Sequence, residues 1–209
     1  MSHESPERCL ARADLCRFLA ACYYEPGPEF AEERLFDSML AAARATDIGI
    51  AASVERLGAL FFADPLDALL VDYARLFLGP PEMLASPYGS FWLTGEKTLM
   101  QDATMAILAL YREAGFDMDN EFRELPDHIG VELEFLYLLN YRAAEALRNQ
   151  DEKALSGYAV IRRRLLEEHL GLWVPKFAVS VTDNAATGFY RELSAVTSRV
   201  VAHESLAVL

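Results

Sequence analysis

Apolar residues recur three and four positions apart along almost the whole chain, and prolines and glycines separate the runs. This spacing places the apolar side chains on one face of an α-helix. No stretch shows the apolar–polar alternation, bounded by turn residues, that is typical of a β-strand. With 209 residues, of which 53% are hydrophobic, the chain can bury a sizeable core. We therefore predict an all-α fold, a helical bundle of eight to nine helices in two closely packed subdomains joined by a hinge.

The breaks between the apolar runs set the predicted boundaries. Helices are expected at residues 6–24, 28–45, 53–62, 65–78, 94–115, 126–148, 152–170, 173–181 and 186–203. The segment at residues 79–95 is rich in Pro and Gly and is predicted to be an irregular loop. An acidic hinge linker at residues 116–125 is expected to join an N-terminal subdomain, residues 1–115, to a C-terminal one, residues 126–209. Such a linker is compatible with a monomer and with a domain-swapped dimer.

Pro126, Asp127 and His128 stand where the linker meets the predicted helix at residues 126–148. Proline suits the first turn of a helix, because its missing N–H would have no partner there. Asp127 is then expected among the unpaired N–H groups of that turn, where its charge meets the positive end of the helix dipole. His128 is the type of side chain whose charge can change near neutral pH. We expect both side chains to be exposed at this helix start.

The formal charge of −13 disfavours nucleic acid as a partner, because binding it depends on neutralising phosphates with cations. A basic peptide or a basic protein face fits this charge better. The N-terminus shows no signal peptide, and no apolar run is long enough for stable membrane insertion, so we expect a cytoplasmic protein. The first helix is expected to bury its three cysteines and to keep Arg12 off its apolar stripe.

Several residue patterns in the chain resemble metal- or nucleotide-binding sites. Asp117 starts a run that resembles a calcium loop, but the Gly and Glu required later in such a loop are absent. His128 and Glu132 are four residues apart and could share a helix face, and Gly95 to Thr98 has some features of a phosphate loop. These residues keep open the alternative of a metal- or nucleotide-dependent helical enzyme. No nucleophile signature is present, and we predict no catalytic residue, metal ligand or cofactor.

The loop from Tyr88 to Trp92 has two interpretations. Its aromatic residues could form a cap over the helical core, or they could form one wall of a groove for an apolar peptide. His169 is expected to be an ordinary surface residue. Both interpretations of the loop stay open at this point.

Three segments carry a family resemblance. They read Tyr-Ala-Arg-Leu-Phe-Leu-Gly-Pro at residues 73–80, Ser-Pro-Tyr-Gly-Ser at residues 86–90, and Leu-Pro-Asp-His-Ile-Gly-Val-Glu-Leu-Glu-Phe at residues 125–135. In this order and spacing the chain resembles the TorD/DmsD family, cytoplasmic chaperones for molybdenum-containing redox enzymes that are exported by the twin-arginine route. The resemblance extends from about residue 10 to residue 205. At Gly89 the chain departs from the family, which often has Glu after Pro-Tyr.

The resemblance implies an all-helical accessory protein that binds the signal peptide, or twin-arginine leader, of an exported molybdopterin oxidoreductase. Such a protein would hold the apo-form of the enzyme back from export until the cofactor is inserted. Binding in the family is associated with the Pro-Asp-His hinge and the loop before it. The candidate peptide-binding residues are therefore Asp127, His128, Tyr88, Trp92, Glu132 and Phe77. A basic and then apolar leader would complement an acidic protein with an aromatic loop.

Overall fold

The computed structural model describes residues 5–79, 83–93, 102–118 and 123–207. Eleven α-helices lie in these ranges: α1 Pro6–Ala21, α2 Glu29–Glu32, α3 Leu35–Thr46, α4 Ile48–Ala63, α5 Leu66–Tyr73, α6 Gly89–Leu93, α7 Asp102–Glu113, α8 Ile129–Arg148, α9 Glu152–Leu165, α10 Gly171–Asn184 and α11 Gly188–Leu206. Two π-helical turns continue them, Ala74–Leu78 after α5 and Leu166–Leu170 between α9 and α10. The described ranges contain no β-strand beyond one isolated bridge, so the all-α prediction is confirmed.

Local chemistry explains why several predicted boundaries were wrong. The helix expected at residues 28–45 is broken at Arg34, which has a left-handed backbone with φ 54°. Helix α4 begins five residues earlier than predicted, because the Asp47 carboxylate caps it by accepting from Gly49 N at 2.8 Å. A helix end was expected at Gly171, but the chain continues through the π-helical turn. A Cβ there would overlap the Leu166 carbonyl oxygen, so this continuation requires glycine.

The short helix α6 lies inside the segment that was predicted to be an irregular loop. The predicted start of a helix at residue 94 and the middle of the acidic linker, residues 119–122, lie outside the described residues. Among the described parts, α6 packs against α7 and α10. The aromatic residues of this loop are therefore held against the bundle.

Helix α1 packs along α8 and α3, while α10 packs against α11 and α4 packs against α3 and α11. The largest fully buried side chains come from both sides of the predicted linker and include Tyr23, Trp173, Phe177 and Tyr190. The two halves of the chain thus share one hydrophobic core. The three cysteines are buried in it, as predicted. The division into subdomains stays a prediction.

A buried ion pair joins the first helix to the last. The Arg12 guanidinium donates to both carboxylate oxygens of Glu204, at 2.7 and 2.6 Å, and Asn140 Nδ2 donates to the same carboxylate at 3.2 Å. Burial by itself would raise the pKa of Glu204, but the hydrogen bond and charge of Arg12, with the charge of Arg162, outweigh it and lower that pKa. The expectation that Arg12 faces away from the core was wrong, because its partner lies 192 residues away.

Asp72 fixes a second long-range junction. Its carboxylate is 1% exposed and accepts from Ala186 N at 3.0 Å and from Thr187 N at 2.8 Å, just before α11. The Thr187 hydroxyl donates to it as well, at 2.8 Å. Acceptors at a helix start satisfy N–H groups that have no partner within the helix. The junction also fixes Tyr73, the next residue, against the bundle.

We expect Glu204→Ala to lower the free energy of unfolding by ~3–5 kcal/mol, because it leaves the Arg12 and Arg162 charges buried without their carboxylate. Urea unfolding followed by circular dichroism measures this loss. The control Asp14→Ala breaks the exposed Arg17–Asp14 pair and should cost less than ~1 kcal/mol. Equal losses in the two variants would contradict the importance of the buried pair.

Candidate functional site

Residues 87–90 and 127–129 run antiparallel beside each other, and we call them the paired segments. Gly89 N donates to Asp127 O at 2.8 Å, and Ile129 N donates to Pro87 O at 2.8 Å. These two bonds form the isolated bridge between Tyr88 and His128. The pairing joins the backbone before α6 to the backbone before α8. Two segments that the sequence singled out separately therefore lie side by side.

Asp127 does not occupy the first turn of α8. That helix begins at Ile129, and the preceding backbone closes a turn in which His128 N donates to Leu125 O at 3.1 Å. The Asp127 carboxylate instead accepts from Ser90 N, at 2.9 Å, at the start of α6. Its exposure is only 1%, so the prediction of an exposed carboxylate at the start of its own helix was wrong. Asp127 acts across the paired segments, and its removal would leave a buried N–H without an acceptor.

His128 is the N-cap of α8. Its Nδ1 accepts from Gly130 N at 3.2 Å, so the proton of the neutral ring is on Nε2. The ring stacks on Tyr24 at 5.7 Å between centroids and meets the edge of Tyr88 at 5.4 Å. Because the ring is 4% exposed, burial lowers the pKa of His128 from 6.5 to about 4. The residue is a neutral capping group at pH 7, and the expectation that it is exposed was wrong.

Tyr24 and Tyr88 lie on either side of His128 and are half-buried. The Tyr24 hydroxyl donates to Glu134 Oε1 at 3.1 Å, and the Tyr88 hydroxyl donates to Glu124 Oε2 at 3.1 Å. We call these two tyrosines and two glutamates the tyrosine face. Burial, followed by the nearby carboxylates, raises the pKa of both hydroxyls. The same two causes raise the pKa of Tyr73, which lies beneath the face, to about 12.

The tyrosine face is acidic. Within the described ranges, no ion pair involves Glu124 or Glu134. The charged groups that act on the pKa of Tyr24 and Tyr88 are carboxylates. Aromatic rings beside carboxylates attract cations through both the ring quadrupole and the negative charge. The face therefore has the chemistry to bind a basic side chain.

An apolar cavity of about 210 Å³ adjoins this face. It is lined by Tyr111, Phe116, Asp117, Met118, Val131, Glu134, Phe135 and Leu138. Glu134 belongs both to the cavity and to the tyrosine face. The Tyr111 hydroxyl donates to Pro126 O at 2.6 Å and so fixes the cavity wall to the turn before α8. Sequence reasoning missed the cavity, because its walls come from two helices and from the linker.

The other candidate residues lie deeper. Glu132 is fully buried, and its Oε2 accepts from Trp173 Nε1 at 3.4 Å. Trp92 is partly buried, and its indole donates to Ser86 O at 2.8 Å. Phe77 is 2% exposed and packs among aromatic rings of the core. The structure thus brings Tyr88, Asp127 and His128 together and gives Phe77 a place in the core instead of on the surface.

His169 was expected at the surface, but it is 4% exposed on the second π-helical turn, so that prediction was wrong. No three side chains of the metal-binding types lie together among the residues that the structure describes. His128 and Glu132, proposed to act together in the alternative, have separate partners in Gly130 and Trp173. Residues 95–98 of the phosphate-loop alternative lie outside the described ranges. No helix of the described parts has the length and apolarity that crossing a membrane requires.

The family model described as the nitrate reductase delta subunit matches residues 44–179, which is more than half of the chain. The chain therefore belongs to this family.

Its curated relatives include TorD and DmsD chaperones. The Tat proofreading chaperone DmsD of Salmonella typhi is 31% identical over 137 residues, which cover 66% of this chain and 60% of that protein. The chaperone protein TorD of Photobacterium profundum is 34% identical over 125 residues, 58% of this chain and 55% of that protein. These matches confirm the resemblance to the TorD/DmsD family. The matched region spans 60% or less of the length of these relatives.

A solved structure supports the fold. A redox enzyme maturation protein from Archaeoglobus fulgidus matches with a TM-score of 0.53 and 19% identity, over 95% of this chain and 94% of that one. At this identity the similarity shows the fold alone. Because the curated relatives described above are chaperones, they give no support to the alternative of a metal- or nucleotide-dependent enzyme.

We expect the stability of the protein to fall by roughly 3 kcal/mol as the pH falls from about 6.5 to about 4, on account of His128. Unfolded His128 takes up a proton in this range, whereas the folded residue, whose pKa is lowered, does not. Asn can cap a helix without titrating, so His128→Asn should remove this part of the pH dependence. Urea unfolding at a series of pH values compares the two proteins. Identical pH profiles would contradict the capping role of a neutral His128.

Proposed function

We propose that this protein is a cytoplasmic chaperone that binds the twin-arginine leader of an exported molybdopterin oxidoreductase. It holds the apo-enzyme back and assists insertion of the cofactor before export. Family membership supports the chaperone role. One observation carries the choice of ligand, namely the carboxylates of the tyrosine face, which form no ion pair with the described residues and lie beside an apolar cavity. No nucleic acid is expected to bind to a chain of charge −13.

The tyrosine face fits an arginine better than a lysine. A guanidinium group is planar, stacks on aromatic rings and can bind a carboxylate through two parallel hydrogen bonds. Glu134 accepts from the Tyr24 hydroxyl and Glu124 from the Tyr88 hydroxyl, so each carboxylate lies beside a tyrosine ring. An arginine could stack on the ring and bind the carboxylate at the same time. The His128 ring stacks on Tyr24 and meets the edge of Tyr88, and these contacts give the face a fixed shape. Paired arginines in a leader would meet two such tyrosine–glutamate pairs.

The apolar cavity fits the part of a leader that follows its basic segment. Leaders of exported proteins have an apolar segment after the positive charges. Glu134 lies at the border between the face and the cavity, so a continuous peptide could place its basic and apolar parts in the two sites at once. An apolar groove with charged groups at its rim is a common way to bind an amphipathic peptide. Phe135 and Val131 supply apolar walls, and Asp117 adds a carboxylate at the rim.

Asp127, His128 and Glu132 support this site from beneath, because each is less than 5% exposed. They fix the paired segments and so the position of Tyr88. Trp92 fixes the loop by donating to Ser86 O. Phe77 supports the same region from the core. The oligomeric state proposed is a monomer or a domain-swapped dimer.

We expect a leader peptide with Arg-Arg to bind at least about tenfold more tightly than its Lys-Lys version, because lysine cannot form the planar, stacked and bidentate contact. Isothermal titration of the full chain with both peptides measures this ratio. The double variant Glu124→Gln/Glu134→Gln should lose the preference and weaken binding of the Arg-Arg peptide.

The matched control is Glu32→Gln/Glu55→Gln, which removes the same charge from exposed positions on α2 and α4. This control should keep the wild-type preference. Equal affinity of the wild type for the two peptides would refute the role of the tyrosine face. The same conclusion would follow if the Glu124→Gln/Glu134→Gln variant kept the wild-type affinity and preference. If no leader encoded beside the gene binds, the proposed function itself is wrong.

A further inference from the structure

Two carboxyl groups lie buried beneath the paired segments. Asp127 is 1% exposed and Glu132 is 0% exposed, and both reach the start of α6. The Asp127 carboxylate binds Ser90 N, while Glu132 Oε1 lies 3.1 Å from the position that a Cβ on Gly89 would occupy. One oxygen of each group, Asp127 Oδ1 and Glu132 Oε1, has no hydrogen-bond partner among the described residues. Buried carboxyl oxygens without partners are rare in folded proteins.

Among the residues that the structure describes, the groups that act on Glu132 carry no positive charge. Asp127 precedes α8, Tyr111 faces it from α7, and Trp173 of α10 donates to its Oε2. His128, Glu134 and His169 are further titratable groups of this region, and burial lowers the pKa of both histidines, which keeps them neutral at pH 7. Arg164 acts on His169 and pairs with Glu113 and Glu168 at the surface. Two neighbouring buried carboxyl groups without a cation do not both ionise at moderate cost.

We propose that Glu132, which lies buried beside the Asp127 carboxylate, retains its proton at neutral pH, and that the uncharged Glu132 is a positioning residue for the peptide-binding face. A protonated Glu132 can donate a hydrogen bond from its unpartnered oxygen, either directly or through a water molecule. Burial, and then the charge of Asp127, raise the pKa of Glu132 well above its ordinary value, in agreement with this geometry. The inference rests on the proposed function only for the positioning role.

Glu132 lies close to Tyr88 of the tyrosine face. Glu132 and Trp173 together form the surface on which the Gly89 backbone lies, since a Cβ there would be 3.0 Å from Trp173 Nε1 and 3.1 Å from Glu132 Oε1. Tyr88, the preceding residue, forms the bridge to His128. A second negative charge at Glu132 would repel the Asp127 carboxylate that holds Ser90 N. Loss of the proton to solvent should therefore loosen the paired segments and displace Tyr88.

The direction of the pH effect follows from the raised pKa of Glu132. The stability that this group contributes is fully present below its ordinary pKa of 4.5 and is lost as the pH rises through the folded-state pKa. Glu132→Gln keeps a neutral side chain that can still accept from Trp173. This variant should have a higher urea midpoint than the wild type at pH 8 and should lack this part of the pH dependence. Glu132→Ala should be less stable than the wild type at every pH.

The first test needs no peptide. In the full chain labelled with ¹³C-glutamate, the carboxyl signal of Glu132, assigned by its absence in Glu132→Gln, should remain that of an acid at pH 7. A signal that titrates with those of the exposed glutamates would overturn the proposal that Glu132 retains its proton. This result would leave the proposed function untouched.

The second test measures leader binding between pH 6 and pH 9. The wild type should lose affinity as Glu132 ionises, whereas Glu132→Gln should keep its affinity across the range, and Glu132→Ala should bind weakly throughout. Parallel pH profiles for the wild type and Glu132→Gln would overturn the positioning role. If no leader binds while the Glu132 signal remains that of an acid, the protonation of Glu132 is supported and the proposed function fails. If Glu132→Ala does not fold, the comparison of the wild type with Glu132→Gln tests the positioning role by itself.

Discussion

The backbone pairing between residues 87–89 and 127–129 is the contact on which the site depends. Only two main-chain hydrogen bonds form it, but they join segments that lie about forty positions apart. The Asp127 carboxylate reinforces them by accepting from Ser90 N, and His128 begins the long helix α8 at the same point. A buried N–H that loses its acceptor is costly, so each of these bonds holds the others in register. The aromatic loop has its fixed place because of this junction.

Burial gives the charged motif a different meaning from the one that its sequence suggests. Asp127, His128 and Glu132 lie under the surface, while Tyr24, Tyr88 and the two glutamates that they bind lie above them. The inner group sets the geometry and the outer group offers the negative charge. A peptide would meet the outer group first. Tyr88 and Glu134 of the outer group belong to the segments that carry the family resemblance, whereas the acid–histidine turn in the same segments lies beneath the surface.

The all-α class and most helices follow from apolar spacing, which depends on local chemistry alone. The roles of particular polar residues depend on contacts between distant parts of the chain, and there the sequence was less informative. The sequence places Pro126 and Asp127 in the first turn of a helix. The structure instead uses His128 as the N-cap of α8, and Asp127 accepts from the start of α6. Arg12 looked like a surface residue because nothing in its neighbourhood marks Glu204 as its partner.

The pair of Arg12 and Glu204 also has a consequence for the order of events during synthesis. Helix α1 leads directly to Tyr24, yet its buried arginine stays unneutralised until the last helix has been made. Domains generally fold as units during synthesis, and this one needs α11 to supply the partner of the buried arginine in α1. A nascent chain would therefore not present a finished tyrosine face.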